Sequence, residues 1–462
     1  MTSAAIAIIG GGISGLSAAW TLHQRGIPYC LLEAGPSLGG VIRTEEKDGF
    51  ILEGGPDSIL AQKPEGVGLC RELGLGDRLI PTNPALRAVY ILHRGKLHPL
   101  PEGMMLAVPT RILPMVRSGL FSWPGKLRMG LDLVRPAGPQ NGDESIATFL
   151  RRRFGQEAVE RLGEPLLAGI HAGDPERLSI LATFPRFREL EAKYGSLVRG
   201  MLSAPRPKRK PGAPTPAAFY SLRGGLRELV EALVARLDTT SIRTGAAVRS
   251  LSRNGDGYTI GLEGGEKVSA PKVIVAAPGP KIAPALEGLL PKVSRTLAAV
   301  PFASSATVLL GYRRADVAHS LDGYGMVVPR GEGLRTTALS FVSTKFAHRA
   351  PEGHVLLRGF LGGVRDPGVL DLTDEEMVQA VERDMTPILG LKGRPCVTRV
   401  FRWPSSTPQL EVGHLERMRS VESAVVEVPG LHLTGAGIWS TGIPDSVADA
   451  TRVAIAAAEG GR

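Results

Sequence analysis

The chain has 462 residues, of which 43% are hydrophobic and 22% are charged, and its formal net charge is +10 at pH 7. This length predicts two or three domains, and the composition is that of a folded globular protein rather than a disordered one. The positive charge suits an anionic partner such as a membrane surface or a carboxylate-bearing substrate. We expect no nucleic-acid partner, because the sequence has no helix-turn-helix, zinc-ligand or RNA-binding signature and only 5% aromatic residues.

The cysteines and the N-terminus indicate where the protein works. Cys30, Cys70 and Cys396 lie far apart without C-x-x-C spacing, so we expect no disulfide framework and a reducing, cytoplasmic compartment. The N-terminus enters an apolar strand almost at once, so we expect no signal peptide. Stretches without charged residues are too short and too often interrupted by proline to cross a bilayer. We therefore expect a soluble protein, or one that lies on the inner face of the plasma membrane.

The predicted elements begin with a dinucleotide-binding unit. The apolar run 5–9 predicts a strand buried on both faces, and glycines follow it at G-x-G-x-x-G spacing and open a helix. The first glycine allows the tight turn, the second lets the backbone approach a pyrophosphate, and the third lets the helix pack on the strand. The helix start then offers free N–H groups to the phosphates. The residues assigned to this contact are Gly10, Gly12, Ile13, Ser14 and Gly15.

A second strand, 28–32, ends at Glu33 and Ala34, which we assign to the ribose of the same ligand. An acidic residue at this place accepts hydrogen bonds from ribose hydroxyls and favours an adenosine without a 2′-phosphate. A glycine motif by itself is a weak signal, since glycine-rich turns are common. Here strand, glycines, helix, strand and acid all fall within one βαβ length, which favours a dinucleotide site over a purely structural turn.

The glycine pattern continues beyond this unit. Gly39, Gly40 and Thr44 complete the pattern Glu-Ala-x-x-x-x-Gly-Gly-x-x-x-Thr. This pattern resembles the flavin-dependent amine oxidase superfamily rather than the nicotinamide dehydrogenases. The resemblance implies that Gly40 and Arg43 lie along the pyrophosphate and isoalloxazine of FAD. The alternative for Arg43 is a solvated surface charge.

The next part of the chain predicts a hairpin and then an apolar, basic segment. Residues 88–93 and 96–99 form the hairpin, which turns at Arg94 and Gly95. Residues 104–136 are rich in Met, Leu, Val and Trp, interleaved with basic residues. This composition is typical of a segment that lies in a membrane interface with its arginines toward the headgroups. It is equally typical of a helical subdomain with solvated arginines. The sequence leaves both interpretations open.

Later segments predict a return to the first domain and a second sheet. Residues 272–277 are typical of a buried strand that rejoins the dinucleotide domain. A helix is predicted at 144–154, capped by Asp143. Another is predicted at 373–389, where acidic residues suit the positive end of the helix dipole. The strands of a largely antiparallel second sheet are predicted at 307–312, 325–329, 335–341 and 354–360.

The last fifty residues return to glycine chemistry. A strand is predicted to end at Thr434, and a helix to begin near Pro444 and Asp445 after a run of glycines. N–H groups at that helix start are placed to meet the anionic pyrimidine edge of a flavin. No cysteine occurs at 435–445, so we expect no covalent flavin linkage of the monoamine oxidase kind. The residues assigned to FAD in this stretch are Gly435, Ala436, Gly442, Ile443, Pro444 and Val447.

With both ends considered, the chain resembles the oxygen-dependent protoporphyrinogen oxidase family, including its coproporphyrinogen-oxidising relatives, nearly from end to end. The motifs that carry the likeness lie at 53–58 (Glu-Gly-Gly-Pro-Asp-Ser), 169–174, 178–180, 221–226 and 408–414. The resemblance implies an α/β fold. It comprises a Rossmann-type FAD-binding domain like that of p-hydroxybenzoate hydroxylase, an α+β substrate domain and a helical lobe that is a candidate for membrane association. The FAD-binding domain is expected at 1–84, 214–284 and 401–462, the mainly helical lobe at 85–213 and the substrate sheet at 285–400.

The resemblance also implies roles for individual residues. On the substrate, Arg87 is expected to pair with a propionate and Tyr324 to stack on a pyrrole ring. Val327 is expected to clamp the macrocycle and Gly169 to lie beside its reacting face. Without the resemblance, Arg87 would be a surface arginine and Tyr324 a core aromatic. The further residues that the resemblance places near FAD are Gly54, Gly55, Pro56, Asp57, Val248, Trp403 and Gln409.

The implied activity is the oxidation of protoporphyrinogen IX to protoporphyrin IX in haem biosynthesis, with non-covalent FAD as cofactor and oxygen as electron acceptor. A flexible apolar tetrapyrrole that bears carboxylates needs a large apolar slot with cations at its rim. We find no Ser-His-Asp, paired-carboxylate or metal-ligand arrangement in the sequence. We therefore assign no catalytic residue and no metal, and expect N5 of FAD to accept the hydride. His171 is a candidate base, although a structural histidine is favoured.

Several alternatives stay open at this point. Coproporphyrinogen III carries more carboxylates, for which the basic loop at 208–210 could supply cations. Another flavin oxidase, such as an amine oxidase or a carotenoid desaturase, is a second alternative. A prenyl-protein carrier, which shares the fold but binds without a flavin, is a third. The sequence does not decide the oligomeric state, and a homodimer stays open.

Overall fold

The computed structural model describes residues 5–105, 108–139, 141–203, 217–439 and 441–460, and the basic loop at 208–210 lies outside these ranges. The strands are β1 (Ile6–Ile9), β2 (Tyr29–Leu32), β3 (Thr44–Lys47), β4 (Phe50–Glu53), β5 (Ile59–Leu60), β6 (Leu79–Pro81), β7 (Ala88–His93), β8 (Lys96–Pro99), β9 (Met104–Met105), β10 (Val108–Pro109), β11 (Phe219–Leu222), β12 (Ile242–Arg243), β13 (Val248–Asn254), β14 (Gly257–Leu262), β15 (Lys267–Ala270), β16 (Lys272–Val275), β17 (Phe302–Arg313), β18 (Gly323–Val327), β19 (Ala338–Phe341), β20 (His354–Gly362), β21 (Val397–Pro408) and β22 (Leu431–Leu433). The helices are α1 (Ile13–Gln24), α2 (Pro64–Glu72), α3 (Ile112–Arg117), α4 (Trp123–Gly130), α5 (Ile146–Phe154), α6 (Gln156–Ala158), α7 (Glu164–His171), α8 (Ile180–Thr183), α9 (Pro185–Tyr194), α10 (Leu197–Ser203), α11 (Arg227–Val234), α12 (Gly279–Leu286), α13 (Pro291–Ala298), α14 (Val342–Lys345), α15 (Asp374–Leu389), α16 (His414–Val426) and α17 (Ile443–Glu459).

A five-stranded parallel sheet forms the centre of the first domain. Its strand order is β12-β2-β1-β16-β22, and every neighbouring pair is parallel. Ile6 and Ile8 belong to the hydrophobic core on one face, and Ala7 and Ile9 to the core on the other. Both faces are therefore buried, which is why β1 consists of apolar residues without alternation. The predicted strands at 5–9 and 272–277 are confirmed.

Helices and a small sheet cover the two faces. Residues of α1, α2, α11 and α17 build the core on the first face. The core on the second face is built by α12, α13 and α16 together with the antiparallel sheet β13-β14-β15. The chain thus leaves this sheet after β2 and returns to it for β12, β16 and β22, as parallel strands require crossover connections.

The second large sheet has seven strands in the order β21-β17-β20-β19-β18-β7-β8. All its pairs are antiparallel except β18 with β7. The predicted antiparallel sheet is confirmed, and so is the hairpin that turns at Arg94 and Gly95. Helix α15 packs on this sheet, which confirms the predicted helix at 373–389, and it begins with a capping box between Thr373 and Glu376 that was not predicted. The long edge strand β21 was not predicted.

Helices α3 to α10 form a helical lobe around a hydrophobic core to which Ile91, Val327 and Ala338 of the second sheet also contribute. The predicted cap of α5 was wrong: the hydroxyl of Ser145, not the carboxylate of Asp143, accepts the hydrogen bond from the N–H of Thr148. Asp143 instead accepts from the N–H of Glu144 and from the hydroxyl of Ser179, and so fastens two helix starts together. Both residue types cap helices, so sequence alone could not choose between neighbours.

The carboxyl ends of the parallel strands locate the candidate site. The N–H of Ala276, just after β16, donates to the carbonyl of Ile9, and the N–H of Thr434, just after β22, donates to the carbonyl of Val275. The N-terminal and C-terminal glycine stretches therefore leave the same edge of the sheet, on either side of the residues that follow β16. Ligands of open parallel sheets bind at this edge. The division of the chain into domains stays a prediction, and β21 runs across the expected boundary at residue 400.

Candidate cofactor and substrate site

The first glycine turn leaves room for a ligand at one position and none at the others. A Cβ atom at Gly15 would lie 1.8 Å from the carbonyl oxygen of Gly10, and one at Gly10, whose φ is +111°, would lie 2.7 Å from the carbonyl oxygen of Ala276. A Cβ atom at Gly12 would meet nothing within 4 Å. Gly10 and Gly15 are thus required for the turn and for helix packing, whereas Gly12 faces open space at the start of α1. This is the distribution that a pyrophosphate cradle needs.

Glu33 is fixed directly beside this turn. Its carboxylate accepts a hydrogen bond from the N–H of Gly11 at 2.6 Å and another from the N–H of Gly35 at 2.7 Å. Its own carbonyl accepts from the N–H of Ala246, two residues before Val248. The structure therefore brings the predicted ribose and adenine residues together. Each carboxylate oxygen retains a lone pair for a ribose hydroxyl.

The second glycine pair lies against the first turn. The N–H of Gly39 donates to the carbonyl of Gly11 at 2.8 Å. A Cβ atom at Gly40 would lie 3.3 Å from the Cα of Gly12. The side chain of Arg43 is exposed, while its carbonyl accepts from the N–H of Gly54 at 2.9 Å. The backbone of Arg43 therefore joins this pair to the stretch that begins at Gly54.

The stretch Gly54–Asp57 is held by donors from the second sheet. The indole N–H of Trp403 donates to the carbonyl of Gly54 at 3.0 Å, and the guanidinium of Arg358 donates to the carbonyls of Gly54 and Gly55. A Cβ atom at Gly55 would lie 1.7 Å from the carbonyl oxygen of Val41, so only glycine fits there. The two domains meet along this stretch.

Two acids in this region have opposite pKa shifts. Burial raises the pKa of Glu53 to about 6, although the hydroxyl of Thr44 and the N–H of Leu226 bond to its carboxylate. Burial acts in the same direction on Asp57, but the charges of Lys345 and Arg358 outweigh it and hold the pKa of Asp57 well below its usual range. Asp57 is therefore ionised at neutral pH, whereas Glu53 titrates near pH 6.

The C-terminal glycine stretch completes the cradle. Gly435 has φ +117° and lies against Ala276, the residue that Gly10 also approaches. Gly442 is the N-cap of α17, and within the described ranges no side chain caps the helix there. Apart from Pro444, which has no N–H, the first turn can therefore offer backbone donors to an anionic edge of a ligand. The buried residues Ile443, Pro444 and Val447 anchor this helix start in the core. Ala436 follows Gly435 in the same turn.

Two of the predicted substrate residues, Arg87 and Tyr324, lie on or next to neighbouring strands of the second sheet. Arg87 immediately precedes β7, and Ala88 pairs with Gly323, the neighbour of Tyr324. Arg87 is exposed, and its Nε donates to the carbonyl of Pro84 at 2.9 Å. The hydroxyl of Tyr324 donates to the carbonyl of Asn83 at 2.7 Å.

Gly169 and Val327 form a second pair of substrate candidates. A Cβ atom at Gly169 would lie 3.4 Å from a methyl carbon of Val327, so helix α7 of the lobe runs against β18 of the sheet. Val327 is 8% exposed and belongs to the core of the lobe. The structure thus brings together Gly169 with Val327, and Arg87 with the strand that carries Tyr324.

His171 and Gln409 connect the lobe to the cofactor side. Burial lowers the pKa of His171 to about 4, so its imidazole is neutral at pH 7. The side-chain amide of Gln409 donates to the carbonyls of His171 and Thr407 at 3.1 Å. A neutral histidine packed edge-on against Phe184 fits the structural role that the sequence favoured.

Sequence reasoning missed three buried cations of this region, Lys345, Arg349 and Arg358. The signal for Arg358 was present, because it interrupts the otherwise apolar run of β20 and so had to be paired or bonded inside the protein. Within the described ranges, no group of three or more His, Cys, Asp and Glu side chains is placed to hold a metal ion. In the same ranges, no helix has the length and apolar character needed to span a membrane.

Known proteins share this sequence and architecture. Residues 13–459 match the family model of the flavin containing amine oxidoreductases. The chain is 38% identical over 452 residues to a coproporphyrinogen III oxidase of Bacillus subtilis (strain 168), with 96% of this chain and 95% of the relative covered. It is 32% identical over 454 residues to the chloroplastic protoporphyrinogen oxidase 1 of Spinacia oleracea, with 91% and 77% covered.

A solved structure agrees with these relatives. A putative protoporphyrinogen oxidase from Exiguobacterium sp. 255-15 superposes with a TM-score of 0.86 at 33% identity, over 99% of this chain and all of that one. The residues present fit an FAD cofactor, because the open glycine turn at the start of α1 and the carboxylate of Glu33 suit a pyrophosphate and a ribose. The chain belongs to the flavin containing amine oxidoreductase family and is an FAD-dependent oxidoreductase.

Proposed function

We propose that this enzyme oxidises a porphyrinogen to the corresponding porphyrin in haem biosynthesis, with oxygen as the final electron acceptor. The observation that carries the proposal is a continuous connection between the two predicted binding regions. The hydroxyl of Tyr324 bonds to the carbonyl of Asn83, whose N–H bonds to the carbonyl of Lys345, whose ammonium pairs with Asp57. Tyr324 is thus linked, through Asn83 and Lys345, to the stretch proposed to hold the flavin.

FAD, when bound, supplies the hydride acceptor and the route for electrons to oxygen. The residues of the chain bind and orient the substrate. Arg87 is placed at an exposed rim, where its guanidinium can pair with a propionate. Tyr324 and Val327 lie on β18, the strand proposed to line the apolar part of the substrate slot. Gly169 allows α7 to pack close to this strand. The Gly54–Asp57 stretch and the start of α17 hold the cofactor opposite.

Two substrates follow from this proposal. Protoporphyrinogen IX is the substrate that the sequence motifs first suggested. Coproporphyrinogen III is favoured by the names of the relatives from Bacillus subtilis, Propionibacterium freudenreichii and Staphylococcus aureus, at 38%, 35% and 35% identity over 96% of this chain. Those names describe the relatives, so the choice for this chain requires a measurement.

Fluorescence of the porphyrin product, recorded with each porphyrinogen at matched concentrations, tests the proposal. We expect turnover with at least one of them, and anaerobic mixing should bleach the yellow flavin. The ratio of kcat/KM values then identifies the physiological substrate. A yellow protein that oxidises neither porphyrinogen but oxidises an amine would contradict the proposal and favour another flavin oxidase.

We further propose that the helical lobe docks on an anionic membrane surface. Much of the exposed apolar surface of the described residues lies on this lobe, where Trp123, Leu127 and Val134 are 66%, 72% and 73% exposed. The exposed cations Arg111 and Arg117 flank it. Apolar side chains beside arginines are typical of interfacial segments.

Co-sedimentation with vesicles that contain anionic lipid tests this docking. We expect binding that weakens as salt is added, and about tenfold weaker binding for the double variant Leu127→Ser, Val134→Ser, because each side chain loses apolar area from the interface. Val426→Ser is the matched control, since Val426 is an equally apolar side chain, 57% exposed, on α16. Equal binding of the double variant and the control would refute the docking surface.

A further inference from the structure

Two buried cations share one buried acid beside the proposed flavin stretch. The ammonium of Lys345 lies 2.8 Å and 3.1 Å from the two carboxylate oxygens of Asp57. The guanidinium of Arg358 lies 3.7 Å from the same carboxylate. The side chains of Asp57, Lys345 and Arg358 are 11%, 13% and 5% exposed. We call these three residues the Asp57 cluster.

The backbone fixes Arg358 in place. One terminal nitrogen of its guanidinium donates to the carbonyls of both Gly54 and Gly55, and the plane lies 4.7 Å from the ring centroid of Phe360. Its Nε is buried and has no hydrogen-bond partner among the described residues. The position of this charge is therefore determined by the stretch proposed to hold FAD, and the guanidinium cannot move away without losing both of these hydrogen bonds.

The cluster carries an unbalanced charge. Asp57 contributes −1, whereas Lys345 and Arg358 contribute +1 each. Because the arginine guanidinium remains protonated in proteins even when burial lowers its pKa, the sum is +1. The neighbouring pair of Glu53 and Arg349, 3.9 Å apart, adds no further net charge when both are ionised. Charges in such a water-poor region act more strongly on their surroundings than charges at a surface.

We propose that Lys345 and Arg358 raise the reduction potential of the bound FAD by placing a net positive charge against the Gly54–Asp57 stretch. Reduction by two electrons makes the flavin ring more negative, so a fixed cation nearby stabilises the reduced form more than the oxidised form. A higher potential favours hydride removal from the substrate. The inference rests on the FAD cofactor of the family and on the proposed position of this stretch beside the ring.

Variants that change the cluster charge in opposite directions test this inference. Lys345→Met lowers the charge to zero, and Asp57→Asn raises it to +2. We expect the two-electron midpoint potential, measured by spectroelectrochemistry on the FAD-loaded protein, to fall for Lys345→Met and to rise for Asp57→Asn. A tenfold change in the redox equilibrium in each direction corresponds to about 30 mV. Structural damage alone would not produce shifts of opposite sign.

Controls separate charge from shape and from cofactor loss. Lys392→Met removes an exposed lysine from a loop after α15 and is expected to keep the wild-type potential. FAD content per chain is measured for every variant. A wild-type protein that binds no FAD would overturn the function proposed above and this inference with it. FAD-loaded variants with unchanged potentials, or with shifts of the same sign, would overturn this inference alone.

Discussion

The cofactor side and the substrate side of the site are built from different kinds of protein group. The cofactor side consists of backbone: glycine turns at both ends of the chain, helix starts and carbonyl groups held by buried donors. The substrate side consists of side chains on neighbouring elements, such as the exposed Arg87 and the half-buried Tyr324. In the proposed function, one side recognises phosphates and a ring through fixed N–H groups, and the other recognises carboxylates and a macrocycle through guanidinium and aromatic groups.

This difference has consequences for mutation. Where backbone packs on backbone, an added methyl group would overlap neighbouring backbone atoms, so the backbone itself has to shift. Where a side chain reaches into solvent, its removal leaves the fold intact and changes only what binds there. Substitutions on the cofactor side should therefore affect stability and FAD content, and substitutions on the substrate side should affect KM.

The largest effect is expected for Gly15→Ala. The new methyl carbon would lie 1.8 Å from the carbonyl oxygen of Gly10, so α1 must move away from β1. We expect a loss of about 3 kcal/mol in the free energy of unfolding, the upper part of the range for overpacked sites, and loss of bound FAD. Urea denaturation and flavin absorbance measure the two quantities.

Gly12→Ala is the matched control for this experiment. Its methyl group would meet no protein atom within 4 Å but would occupy the open space proposed for the pyrophosphate. We expect an apoprotein that unfolds at the wild-type urea concentration and yet binds FAD at least tenfold more weakly. If both variants were equally destabilised, or if Gly12→Ala bound FAD normally, the separation of the two glycine roles would be wrong.

Glu53 is an exception on the cofactor side, because its side chain, rather than the backbone alone, makes the hydrogen bonds there. Its folded-state pKa of about 6 lies above the ordinary value of 4.5, so the folded protein retains a proton that the unfolded chain has already lost. The contribution of Glu53 to stability is therefore complete below pH 4.5 and falls as pH rises toward 6, by about 2 kcal/mol in total.

Urea denaturation between pH 4.5 and 6.5, performed on wild type and Glu53→Gln, measures this contribution. We expect the stability of the variant relative to wild type to rise across that interval, since the amide does not titrate. Asp57 does not interfere, because its pKa is lowered and its stabilisation is lost only as pH falls below this range. A difference that does not change with pH would show that Glu53 is already ionised at pH 4.5.

The same difference between backbone and side chains explains which features the sequence predicted. The glycine spacing after β1 and the apolar runs of β1 and β16 are local patterns, and each has one structural meaning in a parallel sheet. The family resemblance extended these patterns to the C-terminal glycines. The fold and the cofactor region could therefore be predicted from local sequence patterns.

Contacts between distant segments could not be predicted in this way. Lys345 and Asp57 are 288 positions apart, and nothing near either residue indicates the other. Strand β21 lies at the edge of its sheet, contains proline and arginine, and pairs its Arg399 with Glu45 from another part of the chain. Edge strands tolerate proline and charge, so their sequences resemble loops.

The smallest effect is expected for Arg87→Ala on the substrate side. The side chain is exposed, so we expect no measurable change in unfolding or in FAD content. If its guanidinium pairs with a propionate, KM for the porphyrinogen should rise about tenfold, which corresponds to about 1.4 kcal/mol of binding free energy, while kcat changes little. Lys96→Ala is the control, because Lys96 is an exposed cation on β8, at the far end of the same hairpin.

Equal KM values for the two variants would remove Arg87 from the substrate site. A rise in KM that disappears at high salt for both variants would indicate general attraction by the basic surface instead of a specific pair.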